Sequence, residues 1–425
     1  MTTYLGELRS NWRALLAVSI GLGSGLSIFG YSAAVFAPHL LQTFGWSKSQ
    51  FALIGITPVM LMFCLPLVGR LTDLFGARRV AMIGVVSLPL SFLALSAMTG
   101  DIRVFLAIAI AQVLLGASTT AAVYSRVVAE AFERTRGLAL AIVTCGPPLV
   151  GGIGVPLLTA FIDAHGWKAG YQAMAVFSAV FGALALILIP RRKTPDARAV
   201  RARRPASQDY VLIAKSPAFW VIMLGFLLCN FSHPLTGVQL KLVLLDNGAS
   251  SATASLLISM FAAGVIVGRF ACGLALDRMP AHIVATVSMG LPGLGLLLLA
   301  SSIDTTPALA VSTLLMGLSL GAEGDLAGFL VVRFFGLRIY SSVLGLVFTS
   351  LGIASALGSV LLSYTLKLAD NYTLYVFMTA IAVLVGGAMF MLLGIPSIVG
   401  TALGEPGPDE SAASNKAATL REPAG

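Results

Sequence analysis

The sequence predicts an all-α membrane protein, with twelve transmembrane helices in two pseudo-symmetric six-helix bundles. Three observations carry that reading. The chain is 57% hydrophobic and 11% charged with a mean hydropathy of +0.93, whereas a soluble domain carries about 25% charged residues. Its apolar residues gather in runs of about 20, the length a helix needs to cross a hydrocarbon core about 30 Å thick. Its basic residues are shared unequally between alternate loops, as in multi-pass proteins. Transmembrane strands would instead be short and would alternate apolar with polar residues.

The runs follow in order. The first, 14–37, comes after Arg9 and Arg13. It is too long for a secretory h-region, and Pro38 makes a poor cleavage context, so it reads as a retained helix. Runs at 51–69, 80–99, 104–127, 137–160 and 171–190 complete a first set of six. The stretch Arg191 to Lys215, RRKTPDARAVRARRPASQDYVLIAK, is basic and polar and reads as a linker. A second six lie at 217–240, 251–272, 282–300, 307–331, 340–362 and 373–395. The tail from Thr401 is rich in Ala, Glu, Pro, Ser and Gly and reads as disordered. The division expected is 1–190, a linker at 191–216, 217–400, and a tail at 401–425.

With the amino terminus inside, twenty-two of the 27 Lys and Arg fall on cytoplasmic segments and helix ends. The outer side keeps Lys48, Arg103, Lys168, Lys241 and Lys367. That split places both termini in the cytoplasm. It also accounts for the net charge of +9 without a nucleic-acid partner. Cys64, Cys145, Cys229 and Cys272 lie in or beside apolar runs without ligand spacing, and read as small buried hydrophobes. The four histidines are isolated. No HExxH, phosphate-cradling GxxxxGK[ST] or Gly-x-Ser-x-Gly pattern occurs, so neither an enzyme, a cofactor, a metal centre nor ATP-driven transport is expected. An ion gradient would supply the energy.

The halves repeat. GRLTDLFGA after the second run matches GLALDRMPA after the eighth, pairing Gly69 with Gly273, Asp73 with Asp277 and Ala77 with Ala281 at an offset of 204. FGWSKS at 44–49 matches NGASSA at 247–252 at an offset of 203. Parallel repeats of this kind build transporters whose site lies near the midplane between the halves.

Gly69-x-x-x-Asp73-x-x-Gly76-x-Arg78-Arg79, with its second copy around Gly273, Asp277 and Arg278, resembles the loop motif of the major facilitator superfamily. The resemblance implies a conformational latch on the cytoplasmic side that steadies the outward-open state. Glycines permit the tight turn, and the aspartate can meet a helix N-terminus or an arginine. Leu74 stands where the family often has a basic residue. FGWSKSQ, RVVAEAFERTRGLALAI, HGWKAGYQ and AEGDLAGFLVVRFFGLR resemble the bacterial monocarboxylate and oxalate/formate-like branch. That resemblance implies a carrier of small organic anions in a bacterial-type inner membrane, a monomer coupled to protons. Animal members carry an Asp and Arg pair in the eighth helix. Here LLISMFAAGVIVGRF has only Arg269, read as lying at its cytoplasmic end. CGPPLVGG, Cys145 to Gly152, partly resembles the Gly-Pro pattern of proton-driven drug exporters, which makes a drug or metabolite exporter the alternative. A membrane sensor without flux is a second one.

The candidate site residues are the polar groups inside apolar runs. Glu323 and Asp325 interrupt the tenth run, where each charge costs roughly 2.5–3.5 kcal/mol. Positions i and i+2 lie about 200° apart on a helix, so the two acids do different jobs. At the repeat offset Glu323 aligns with Thr120, which makes it the leading proton-coupling candidate facing the central cavity. Asp325, the other proton-coupling candidate, is expected to pair within its own bundle, with Arg269 as the partner. Arg126 is either an anion contact or a partner of Asp73. Asn230 and His233 flank Pro234, which should break the seventh helix and free carbonyls. Tyr31, one turn from Ser27, is a further substrate-contact candidate.

Overall fold

The computed structural model describes residues 4–46, 56–190, 206–301, 303, 305–369 and 371–396, and among these there is no strand. The expected tail at 401–425, most of FGWSKS beyond Trp46 and the first part of the linker lie outside the described residues. The amino-terminal helices are α1 (Tyr4–Ser10), α2 (Trp12–Ser24), α3 (Ser27–Phe44), α4 (Ile56–Phe75), α5 (Ala77–Ser96), α6 (Ile102–Gly116), α7 (Ala121–Ala131), α8 (Arg136–Thr144) and α9 (Gly146–Leu188). A short helix α10 (Ala206–Lys215) leads to α11 (Pro217–Cys229), α12 (Leu240–Asp246), α13 (Ser251–Leu276), α14 (Ala281–Leu299), α15 (Thr306–Phe335), α16 (Tyr340–Ala369) and α17 (Thr373–Met389).

Each of the twelve apolar runs is mostly helical where it is described, with breaks inside some and at the ends of others. Among the described residues, nine helical segments are long and apolar enough to cross a membrane, or ten if the pair around Ser216, bent by 73°, is one span. One of the nine, Arg136–Leu188, has 53 residues, which at 1.5 Å per residue is more than twice the thickness of a hydrocarbon core. Gly166, at φ +84°, breaks it into two. Several spans are interrupted for visible reasons. The fourth run loosens into a 3₁₀ turn at Ala117–Thr119. The seventh run ends its α-helix at Cys229, makes a 3₁₀ turn at Asn230–Ser232 and then a π-helical turn at Leu235–Gln239. Pro234 sits at that break because it has no N–H to give. The freed carbonyl of Phe231 takes the Tyr375 hydroxyl at 2.6 Å instead.

Lipid tails give helices no hydrophobic reason to associate, so close packing has to do it. The α13–α15 pair shows how. Gly264 and Gly268 face Gly317 and Gly321, small residues four apart on both helices, and a Cβ at any of them would run into the neighbour's backbone. At one end of the molecule, aromatic residues of two quoted motifs meet. The Phe44 ring centroid lies 5.0 Å from that of Trp46 and 5.4 Å from that of Trp167, and the Trp46 indole donates to Gly100 O at 2.7 Å. The opposite, arginine-rich end holds the two largest buried clusters. Tyr124, Phe132 and Leu140 are in one, and Phe226, Phe335 and Tyr340 in the other.

Candidate functional site

Two seams join the halves at the arginine-rich end, and both are built on the repeated loop aspartate. At the first, Asp73 near the end of α4 reaches the first turn of α16. Its Oδ1 accepts the Ser341 N–H at 3.0 Å, and its Oδ2 accepts the Ser342 N–H at 2.7 Å and the Ser342 hydroxyl at 2.6 Å. These amides are among the four that no helix can satisfy from within, and the helix dipole favours an anion there. Gly69 lets α4 lie directly against Ser341. At the second seam, Asp277 after α13 does the same for α8, accepting the Gly137 N–H at 2.7 Å and the Leu138 N–H at 3.1 Å. Gly137 and Gly273 permit that approach, each lying against the other's backbone.

The surroundings of the two aspartates differ. Arg126, 2% exposed, is ion-paired to Asp73 and donates from Nε to Glu130 Oε1 at 2.7 Å. Among the described residues no arginine is ion-paired to Asp277, and half-buried Arg136 acts on it only through its charge. The second partner of Asp277 is the Tyr4 hydroxyl of α1 at 2.8 Å, whose ring lies 5.5 Å below the Arg278 guanidinium. Burial, the hydrogen bond to Asp277 and its charge push the Tyr4 phenol up to about 12. Burial also holds the Asp277 carboxyl above its ordinary range despite the N–H and hydroxyl donors. Gly76, at φ +86°, gives the turn into α5. Arg79 is exposed and Arg78 half-buried beside it.

Higher in the molecule, the structure assembles a group that crosses between the halves. Arg269 on α13 donates from Nη1 to Thr144 O and from Nε to Gly321 O at 3.4 Å. Its Nε lies 3.8 Å from Asp325 Oδ2 on α15, the side chains being 16% and 0% exposed. The Thr144 hydroxyl donates to Asp325 Oδ1 at 2.7 Å, while Oδ2 has no hydrogen-bond partner among the described residues. Arg269 therefore does not lie at the cytoplasmic end of its helix. Two more turns of α13 follow it, to Leu276, and the apolar span runs on to that residue, past the expected boundary at 272. Asp325 pairs with Arg269 within its own half, but it also reaches α8 of the other half through Thr144.

Glu323 and Asp325 point apart, as their spacing requires. Glu323 is half-buried and hydrogen-bonded to the Asn230 side chain. Together with His233, Ser319, Met289 and Pro292 they wall a cavity of about 30 Å³ between α11, α14 and α15, about the volume one water occupies. Asn230 also donates to Phe226 O at 3.0 Å, and His233 Nδ1 lies 3.5 Å from the Ser355 hydroxyl of α16. The structure thus brings Glu323, Asn230 and His233 together. It sets Arg126 apart from them, behind the first seam. Tyr31 is 43% exposed and lines an apolar cavity of about 500 Å³ with Leu149, Gly151 and Phe161. Ser27 opens instead into a second cavity of about 550 Å³, bounded by Leu26, Thr120, Thr144 and Pro147. One helical turn of α3 thus borders two cavities.

The family model described as Major Facilitator Superfamily matches residues 18–240 and 233–421. The chain belongs to that superfamily. It is a multi-pass membrane transporter. Among curated relatives, MFS transporter asaE of Aspergillus flavus is 25% identical over 374 residues, covering 87% of this chain and 81% of that protein. Monocarboxylate transporter 13 of Bos taurus is 26% identical over 387 residues, covering 87% and 88%. Among solved structures, a fucose:proton symporter of E. coli superposes with a TM-score of 0.67 at 14% identity, over 89% of this chain and 97% of that one. At that identity the match speaks for the facilitator fold alone.

Proposed function

We propose that this facilitator carries small organic anions of the monocarboxylate kind together with protons, by alternating access. It would do so as a monomer in a bacterial-type inner membrane with both termini cytoplasmic. The working halves are 1–190 and 217–400, joined by the linker 191–216 and followed by the tail 401–425. The observation that carries the reading is Arg269, a cation held between the halves by two carbonyls and a carboxylate only 3.8 Å away. Opposite charges at that distance attract by about 4 kcal/mol near a protein surface and more when buried. An entering carboxylate can replace Asp325 on the guanidinium only if Asp325 gives up its charge. Protonation of Asp325 does that, so anion and proton are favoured together. The cavity bounded by Thr144 gives the anion a route to the group. The relative called a monocarboxylate transporter supports the substrate class. Glu323, with Asn230 and His233, forms a second polar wall and the second proton candidate. Tyr31 borders the apolar route, and Arg126 would meet substrate only once the first seam parts. The two aspartate seams, with Arg78, Arg79 and Arg278 around them, hold the cytoplasmic side shut.

A second reading is export of metabolites with larger apolar bodies. The two apolar cavities of about 500 and 550 Å³ favour it. The test is proton entry into proteoliposomes loaded with a pH dye on adding mono- and dicarboxylates, for the unaltered chain, Asp325→Asn and Glu323→Gln. Acidification lost in Asp325→Asn and kept in Glu323→Gln is the expected result. Loss in Glu323→Gln alone would move the proton to the Asn230–His233 wall. No response to any acid, with a response to lipophilic cations, would favour the exporter.

A further inference from the structure

Helix α1 is too short to span anything, yet it is fastened to both halves. Its Glu7 carboxylate accepts the backbone N–H groups of Glu133 and Thr135, each at 2.9 Å, and the Thr135 hydroxyl at 2.9 Å. Those residues form the loop entering α8. Thr135 is the N-cap of α8 but makes no cap bond of its own, since its hydroxyl is turned to Glu7. Just beyond α1, the Asn11 side chain donates to Ala131 O at 3.0 Å. Three residues before Glu7, Tyr4 donates to Asp277 Oδ2 and lies under Arg278, both in the carboxy-terminal half. The oxygen that Tyr4 holds is the one that accepts the Leu138 N–H.

We propose that Tyr4 and Glu7 are positioning residues of the cytoplasmic gate. Together they make α1 a strap that stabilises the state in which the arginine-rich end is closed. The physical argument rests on what α1 lacks. It has seven residues and none of them is buried, and a helix that short does not hold itself in water. Its order comes from its contacts, one set on each half. When the halves rock apart, Glu7 stays with the α8 entry and Tyr4 cannot follow Asp277. The Tyr4 contacts therefore belong to the closed state alone, while those of Glu7 persist in both and hold α1 where Tyr4 can reach Asp277. A contact made in one of two states shifts the population by its own strength. Neither residue touches substrate, and the role does not depend on which molecule is carried.

The test is hydrogen–deuterium exchange on the full chain in lipid nanodiscs, comparing the unaltered protein with Tyr4→Phe and Glu7→Gln. Tyr4→Phe keeps the ring under Arg278 and removes one hydrogen bond to a charged acceptor, so closed-state protection should fall roughly tenfold. The Gly137 and Leu138 amides report the near seam, and the Ser341 and Ser342 amides report the far one. Rigid halves cannot open one seam alone, so exchange should quicken at both, with Glu7→Gln acting in the same direction. Faster exchange confined to residues 133–138, with 341–342 unchanged, would make α1 a local brace and overturn the proposal. No change at either seam would overturn it as well.

Discussion

The two seams are repeats of one motif that reach the same end by different chemistry. Asp73 and Asp277 each accept two N–H groups at the N-terminus of a helix from the opposite half. At the first seam a buried arginine, Arg126, neutralises the aspartate. A strap from the linker crosses above it, with Asp209 of α10 accepting from Arg70 at 2.7 Å and Arg338 at 3.0 Å. At the second seam the aspartate is balanced by a tyrosine hydroxyl, and the strap is α1. The first seam has placed its strength in a desolvated ion pair, which cannot be weakened gradually. The second uses neutral donors and a half-buried glutamate, and so remains adjustable. Duplication supplied the aspartates, while the straps over them, α1 and α10, come from segments outside the repeat.

The sharpest way to break the comparison is Arg126→Leu, which leaves Asp73 buried without its cation. Removing one member of a buried pair costs about 3–5 kcal/mol. Thermal unfolding in detergent should fall markedly, and Asp73→Asn in the same chain should recover part of it. Gly273→Val comes next. Its side chain would meet Gly137 across the second seam, and overpacking of this kind costs about 1–3 kcal/mol. The arginine-rich end should then open, read as faster exchange at residues 133–138, with the fold retained. Asp277→Asn should cost less than about 1 kcal/mol, because the amide oxygen can still accept one N–H and the burial penalty on the charge disappears. A loss as large as that of Arg126→Leu would erase the contrast between the seams.

The smallest effect is one of pH. Burial works against the Glu7 charge, but the donors at Glu133, Arg134 and Thr135 outweigh it and hold the carboxyl below its ordinary range. A carboxyl lowered in the folded state contributes stability above its unfolded pKa and loses it as pH falls through the folded value. Exchange at residues 133–135 should therefore quicken as pH drops below about 4, after correction for intrinsic rates, and the pH-dependent part should vanish in Glu7→Gln. Asp277 carries the opposite sign. Its carboxyl is raised, so its contribution falls as pH rises through its folded value.

Much of this was legible in the residues. Run length and hydropathy place the helices because lipid leaves the backbone few alternatives, and the constant offset picks out both latch aspartates. Pro234 marks the break in the seventh run. Other features were hidden. Arg269 reads as lying at its helix end only if the apolar run is closed at Cys272, whereas Gly273–Leu276 is still apolar and helical and the polar break comes at Asp277. Its depth depends on glycines of another helix, Gly317 and Gly321, which no local pattern links to it. The straps were invisible for a similar reason. YLGELRS and ASQDYVLIAK look like polar flanks until the acids at Glu7 and Asp209 find partners more than a hundred residues away. Thr144 carries no charge and so attracted no notice, although it supplies the link from one half to the acid of the other.

The glycine contact between α13 and α15 has a mechanical consequence. Arg269 directly follows Gly268, and Glu323 and Asp325 follow Gly321, so all three charges ride on one interlocked beam. Thr144 stands on the other body. When the bodies swing, the beam carries its cation and its acids along as a preassembled unit, and the threonine is left behind like a released pawl. The stroke exchanges two bonds at a single residue and leaves the geometry of the charges intact, so the charged group presents the same face to both sides of the membrane.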